Sequence, residues 1–195
     1  MKQSFSRQFL SETAFIANQL DSAEIEKIVG ILKPTYYRGR VFVLGVGGSA
    51  GNASHMVNDL RKLCSIEAYS PTDNVSETTA RTNDDGFDTV FVSYLSVARL
   101  TAQDVVFVLS VGGGNKEKNI STGLIKAIDY SKARGAQVVG IVGRADGYTA
   151  KHADACVIVP LAVPERVTPH SESFQDVVWH CIVSHPELQV HATKW

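Results

Sequence analysis

Apolar positions along the chain follow two periods, and the change from one to the other marks its organisation. Over residues 4–20, Phe5, Phe9, Leu10, Phe15, Ile16 and Leu20 recur at helical spacing. Asp21 or Ser22 then reads as an N-cap for a second helix carrying Ile25, Ile28, Val29 and Leu32, which Pro34 ends. From residue 41 the pattern becomes short, continuously apolar runs. Val41 to Leu44, VVFVLS from Val105, Gln137 to Val142, and residues 155–159 predict strands buried on both faces, with a further short strand over 65–69. Helical spacing returns between them: through His55 and Asp59, from Val75, over 87–98, from Ser121 or Thr122 to Gly135, around Tyr148 to His152, and over 171–184 before Pro186.

Strands alternating with helices predict an α/β fold, a three-layer doubly wound parallel sheet of flavodoxin-like type. One domain is expected over 1–195, with a helical pair at 1–34 and an α/β core at 35–195. The helical pair precedes the first strand and has no sheet of its own, so it either covers the sheet of the domain or packs against another subunit, the second being its expected use. Ligands of such sheets gather at the carboxyl ends of the strands.

Composition narrows the function. A chain of 195 residues, 44% hydrophobic, suffices for one substantial core. Formal net charge is −1 with acids and bases interspersed, which gives no basic face for nucleic acid. No run approaches membrane-spanning length, and the first residues lack the apolar stretch of a secretion signal. Three cysteines, Cys64, Cys156 and Cys181, have no Cys-x-x-Cys spacing and read as core residues of a reducing compartment. A cytoplasmic protein without membrane contact is expected.

The candidate chemistry sits first in RVFVLGVGGSAGNASHMVNDL, residues 40–60. A strand feeding a glycine turn brings backbone N–H groups together at a helix start, where an anion is favoured. His55 and Asp59, at i and i+4, project from one helix face. GVGGSAG is not G-x-G-x-x-G, because Ala50 replaces the third glycine, so a dinucleotide fold ranks low. A second glycine loop, Gly112 to Gly114, follows VVFVLS. On spacing alone RTNDDGF, residues 81–87, reads as a solvated turn. In the last helix Glu172 and His180 stand eight residues apart, about 80° around the axis, with Asp176 between them. They read either as liganded groups or as a helix-dipole partner and a satisfied histidine.

GVGGSAGNASH, TNDDGF, VVFVLS with its glycine loop, and a last helix holding Glu172 and His180 together resemble a sugar isomerase (SIS) domain, and specifically the phosphoheptose isomerases. The resemblance covers nearly the whole chain and implies an aldose-ketose isomerase working on sedoheptulose 7-phosphate through an enediol. It implies a homotetramer built on the first two helices. Carried over onto this chain, it places Val46, Gly47, Gly48 and Ser49 in the first substrate loop, with Asn83 and Asp84 as further substrate contacts. Ser110, Val111, Gly112 and Ser121 are implied at the phosphate, and Glu172 at the substrate or metal. Zinc held by His55, Asp59, Glu172 and His180 is implied, with Asp59 and His180 passing the proton. Imidazole and carboxylate donors suit that metal.

Several residues depart from the family pattern. Asp59 stands for a glutamate, Glu172 for a glutamine and Val46 for an asparagine. The serine- and threonine-rich phosphate turn becomes SVGGGNKEKNIST, in which Lys116 or Lys118 offers a charge. The alternatives are isomerisation of another sugar phosphate, and a non-catalytic SIS-type module that binds a sugar phosphate or a protein.

Overall fold

Local signals set the first two helices. Ser4 and Asp21 cap α1 (Phe5–Gln19) and α2 (Ser22–Leu32): the Ser4 hydroxyl accepts from the Arg7 amide, and Asp21 Oδ1 accepts from Ala23 and Glu24. The computed structural model describes residues 3–194; positions 1, 2 and 195 of the expected 1–195 domain lie outside the described residues. The order continues β1 (Val41–Leu44), α3 (Gly48–Lys62), β2 (Ala68–Tyr69), α4 (Val75–Asp85), α5 (Val90–Val97), β3 (Val105–Ser110), α6 (Thr122–Ala133), β4 (Gln137–Val142), α7 (Tyr148–His152), β5 (Ala155–Ile158) and α8 (Val167–Val183).

The five strands form one sheet in the order β2-β1-β3-β4-β5, every pair parallel. Alternation along each strand divides its side chains between two cores. Val41, Val43, Val105, Phe107, Val139 and Ile141 join the layer of α2, α3 and α8. Phe42, Leu44, Val106, Val108 and Val138 join the layer of α5 and α6, against which Tyr148 and Ala153 of the α7 region also pack. This two-sided burial explains why the strands carry continuous apolar runs. The chain reverses between β1 and β3, so the loops after those two strands flank the switch point where such folds bind ligands.

At the outer edge, Glu24 Oε2 of α2 accepts from the Cys156 amide at 3.1 Å, occupying a donor that another strand would otherwise pair. Burial pushes the Cys156 thiol up to about 12 and that of Cys64 to about 11, so both remain protonated. On α1, Ile16 and Glu12 turn inward while Phe5, Leu10 and Phe15 stay exposed. No helix among the described residues is long and apolar enough to cross a membrane.

Two expectations need correction. RTNDDGF is not a turn: Arg81 to Asp85 complete α4, and only Gly86, at φ 86°, reverses the chain. The helix survives its turn-forming residues because all its positions are solvated and the Arg81 Nε–Glu77 contact at 2.9 Å braces it at i, i+4. The last helix opens at Val167, four residues early, with Pro169 in the first turn, where the missing N–H has no intrahelical partner. Ser121 stands at the N-cap of α6 in a left-handed conformation, φ 51°, without a side-chain capping bond.

Candidate active site

The β1–α3 turn is shaped by close approach. A Cβ on Gly45 would fall 2.2 Å from the Ser49 carbonyl oxygen, and Gly47, at φ 62°, holds the N-cap. Val46 is exposed at the tip and Ser49 is buried in the first turn. The turn thereby starts α3 at Gly48, directly after the carboxyl end of β1.

Two turns along α3, and across from it on α8, three side chains meet. His55 Nε2 lies 4.0 Å from Asp59 Oδ2, and His180 Nε2 lies 3.9 Å from the same oxygen. The two imidazole rings stand edge to face, with centroids 5.3 Å apart. Asp59 is mostly enclosed, while both histidines are about half open. Asn58 Nδ2 donates to Asp59 Oδ1 at 2.8 Å, which leaves Oδ2 facing the histidines.

The histidine tautomer follows from its partner. His180 Nδ1 is 2.8 Å from the Asp176 backbone carbonyl, which can only accept, so Nδ1 carries the proton. In the neutral ring Nε2 therefore presents a lone pair toward Asp59. Trp179, fully buried, stacks on His180 at 3.6 Å and meets His55 edge to face at 4.7 Å. Its Nε1 donates to Asp176 Oδ1 at 2.8 Å. Asp176 thus fixes His180 through its backbone and Trp179 through its carboxylate.

Asn52 ties the two helices together, donating to the Glu172 carbonyl at 2.9 Å and to Gln175 Oε1 at 3.0 Å. Trp179, Asn52 and Gln175 escaped the sequence reading. A tryptophan on an apolar helix face signals core, and only its adjacency to His180 hinted at more.

Glu172 is not brought into the His55–Asp59–His180 cluster. Its carboxylate rests over Gly48, where a Cβ would lie 2.6 Å from the carboxyl carbon, so it faces the start of α3. A carboxylate there meets the positive end of the helix. Asn83 and Asp84 stand exposed in the last turn of α4, with Asn83 Nδ2 donating to Asp84 Oδ1 at 2.8 Å; no hydrogen bond or ion pair joins them to the cluster among the described residues.

The loop after β3 is tightly drawn. Ser110 Oγ accepts from the Gly113 amide at 3.0 Å, and the Val111 carbonyl accepts from Gly143 at 2.9 Å. Gly112 packs its carbonyl against Gly147, where a Cβ would approach to 2.2 Å. Beyond them Asn115 and Ile120 pair backbone to backbone, closing residues 115–120 into a small hairpin ahead of Ser121.

His55, Asp59 and His180 each offer a ligand atom within 4.8 Å of the others, and none of the three pairs is close enough for a hydrogen bond. Two imidazole nitrogens and one carboxylate oxygen around a partly open space are a donor set that fits zinc with a coordination position left for solvent or substrate.

The SIS domain family model matches residues 8–143. A phosphoheptose isomerase of Rhodospirillum rubrum is 31% identical over 149 residues, covering 74% of this chain and 73% of that protein. The lincomycin biosynthesis protein LmbN of Streptomyces lincolnensis is 31% identical over 184 residues, covering 90% of this chain and 66% of that protein. The structure of phosphoheptose isomerase GmhA from Neisseria gonorrhoeae superposes with a TM-score of 0.76 at 22% identity, covering 90% of this chain and 94% of that one, which shows a shared fold. The chain belongs to the SIS-domain family, within its phosphoheptose isomerase branch.

Proposed function

We propose that this protein interconverts sedoheptulose 7-phosphate and the corresponding aldoheptose 7-phosphate. The observation that carries the reading is the convergence of His180 Nε2 and Asp59 Oδ2 at 3.9 Å on a surface shared by α3 and α8, in a chain similar over most of its length to phosphoheptose isomerases.

Isomerisation moves one proton from C1 of the ketose to C2, while the hydroxyl and carbonyl at those carbons exchange roles. His180 is suited to take the C1 proton because Asp176 fixes its Nδ1–H and leaves Nε2 basic. Asp59 stands within reach of the same position, its orientation set by Asn58, and serves as the second proton carrier. Trp179 keeps the His180 ring in plane for the transfer. The phosphate is assigned to the Ser110 hydroxyl, the backbone around Val111 and Gly112, and Ser121, whose hydroxyl makes no capping bond at the start of the twelve-residue α6. Val46, Gly47, Gly48 and Ser49 would border the sugar, and Asn83 and Asp84 would contact it.

His55, Asp59 and His180 would hold zinc, with Glu172 as a further ligand or a substrate contact. Bound there, the metal would supply positive charge to an enediolate oxygen. One lone pair has one partner at a time, so ligation by His180 and proton transfer at its Nε2 exclude each other at any instant. The exposed Phe5, Leu10 and Phe15 of α1 support assembly into a homotetramer, placed by this reading in the cytoplasm.

A second reading is isomerisation of a different phosphorylated sugar, favoured by the hairpin that replaces a simple phosphate turn and by the similarity to an antibiotic-biosynthesis protein. Incubating the purified protein with a panel of ketose phosphates of five to eight carbons, with product detection by NMR, tests both. Turnover confined to the seven-carbon sugar supports the first, and turnover confined to another length supports the second. No turnover of any sugar by folded, zinc-loaded protein removes both.

A further inference from the structure

The contact between α3 and α8 ascends both helices together, rung by rung. Gly48 faces the Glu172 carboxylate, Asn52 meets Gln175 and the Glu172 carbonyl, His55 meets Trp179 and His180, and Asp59 faces His180. These positions recur every three or four residues, so each helix gives one face to the seam. The Asn52–Gln175 rung therefore stands one turn before the His55–Asp59–His180 cluster.

The cluster does not hold itself together. At 4.0 and 3.9 Å from Asp59 Oδ2, neither histidine is hydrogen-bonded to it, so the spacing is inherited from the position of α8 on α3. Both helices bury apolar side chains in one core, among them Met56, Leu60, Val178 and Ile182, and apolar packing is non-directional. Among the described residues, the only side-chain hydrogen bonds between the two helices are the two donated by Asn52. One of them ends on the Glu172 carbonyl, a helical turn before Asp176, the residue that orients both His180 and Trp179.

Gln175 is a costly residue in this place. It is fully buried, yet its Nε2 has no hydrogen-bond partner among the described residues. Its orientation is dictated by its neighbours. The Glu172 carbonyl can only accept, so Asn52 turns its nitrogen that way, and the same nitrogen requires an oxygen from Gln175. Nε2 is left buried with both protons unused. An apolar side chain of the same length would fill the space without that penalty. What the amide adds is its oxygen, the acceptor that fixes α8 to Asn52. In coiled coils a single buried amide likewise sets the register of packed helices at a cost in stability.

Resting on the reading of His55, Asp59 and His180 as the zinc-holding and proton-carrying groups, we infer that Gln175 is a positioning residue: with Asn52 it locks α8 on α3 in the register that sets His180 opposite Asp59. Gln175 acts through the helix it belongs to and not by touching the sugar. A displacement of about 1 Å at such a cluster costs on the order of 100-fold in rate, which outweighs the stability lost to one unused donor.

Melting temperature by circular dichroism and zinc affinity by competition with a chromophoric chelator, both on the full-length protein, separate this role from a merely structural one. Gln175→Met is expected to melt at or above the native temperature and to bind zinc about fivefold more weakly. With sedoheptulose 7-phosphate it should lose about tenfold in kcat, with KM within about twofold of native. Asn52→Ala leaves the Gln175 amide without a partner at either end, so it should melt lower and show the same loss of zinc affinity. Adding Gln175→Met to Asn52→Ala should recover the melting temperature and none of the zinc affinity. Native zinc affinity and kcat in folded Gln175→Met, or a zinc affinity that follows melting temperature across the three variants, overturns the lock. A native chain that binds zinc but leaves the heptulose unchanged overturns the isomerase reading alone. If the native chain turns over without binding zinc, kcat across the same variants decides in the same way, and a chain that does neither overturns both.

Discussion

Trp179 lies flat against His180, ring centroids 3.6 Å apart and planes inclined by 28°, and the same indole meets His55 edge-on. One buried side chain thus sets the orientation of two histidines contributed by different helices. Trp179→Phe keeps an aromatic surface but removes the Nε1–H donated to Asp176. A fall in kcat with little change in KM is expected, because the loss concerns aim rather than binding. Trp179→Ala should in addition cost about 3–5 kcal/mol in stability, read by urea denaturation.

Gly48 and Gly147 make a matched pair of probes. A Cβ at Gly48 would meet the flexible end of Glu172, which can swing away, whereas a Cβ at Gly147 would meet the backbone carbonyl of Gly112 at 2.2 Å. Gly48→Ala should therefore leave the melting temperature nearly unchanged while lowering activity through displacement of the Glu172 carboxylate. Gly147→Ala should lose about 1–3 kcal/mol of stability. Full activity in a stably folded Gly48→Ala variant would remove Glu172 from the site.

Glu12, Arg166 and His170 clip α1 to the start of α8. Both Glu12 oxygens accept from Arg166, at 2.6 and 2.7 Å, and His170 Nε2 lies 3.0 Å from Oε2. These bonds, led by that from Arg166, lower the Glu12 carboxyl from 4.5 to about 2. A carboxyl lowered on folding stabilises the fold above its unfolded value, and that contribution disappears as pH falls from about 4.5 toward 2. Denaturation midpoints measured across this window should drop more steeply for the native chain than for Glu12→Gln.

Metal removal separates chemistry from fold. Dialysis against a chelator should abolish turnover while leaving the circular dichroism spectrum unchanged, since the sheet and both cores form without the three ligands. His55→Ala and Asp59→Ala should each weaken zinc binding at least tenfold, measured by competition with a chromophoric chelator.

The sheet was legible because buried parallel strands are apolar on both faces, and Val41–Leu44 and Val105–Ser110 are short, β-branched runs each closed by a glycine turn. His55 and Asp59 were legible as a pair because helical spacing alone puts them on one face. Their meeting with His180 needed the packing of α3 on α8, which no local pattern encodes and which only resemblance to a family supplied. The end of α4 misled because Asn83, Asp84, Asp85 and Gly86 carry turn chemistry, while the Arg81–Glu77 brace that keeps the segment helical reads equally well as surface charge. Resemblance to the family groups Glu172 with His180, but the two turns of α8 between them carry its carboxylate to Gly48 instead.

The most direct measurement is NMR of sedoheptulose 7-phosphate incubated with the zinc-loaded protein in D₂O, run beside His180→Ala. Proton transfer through an enediol predicts an aldoheptose 7-phosphate carrying deuterium at C2, formed by the native chain and not by the folded variant. Absence of product, product without deuterium at C2, or undiminished turnover in His180→Ala would contradict the assignment.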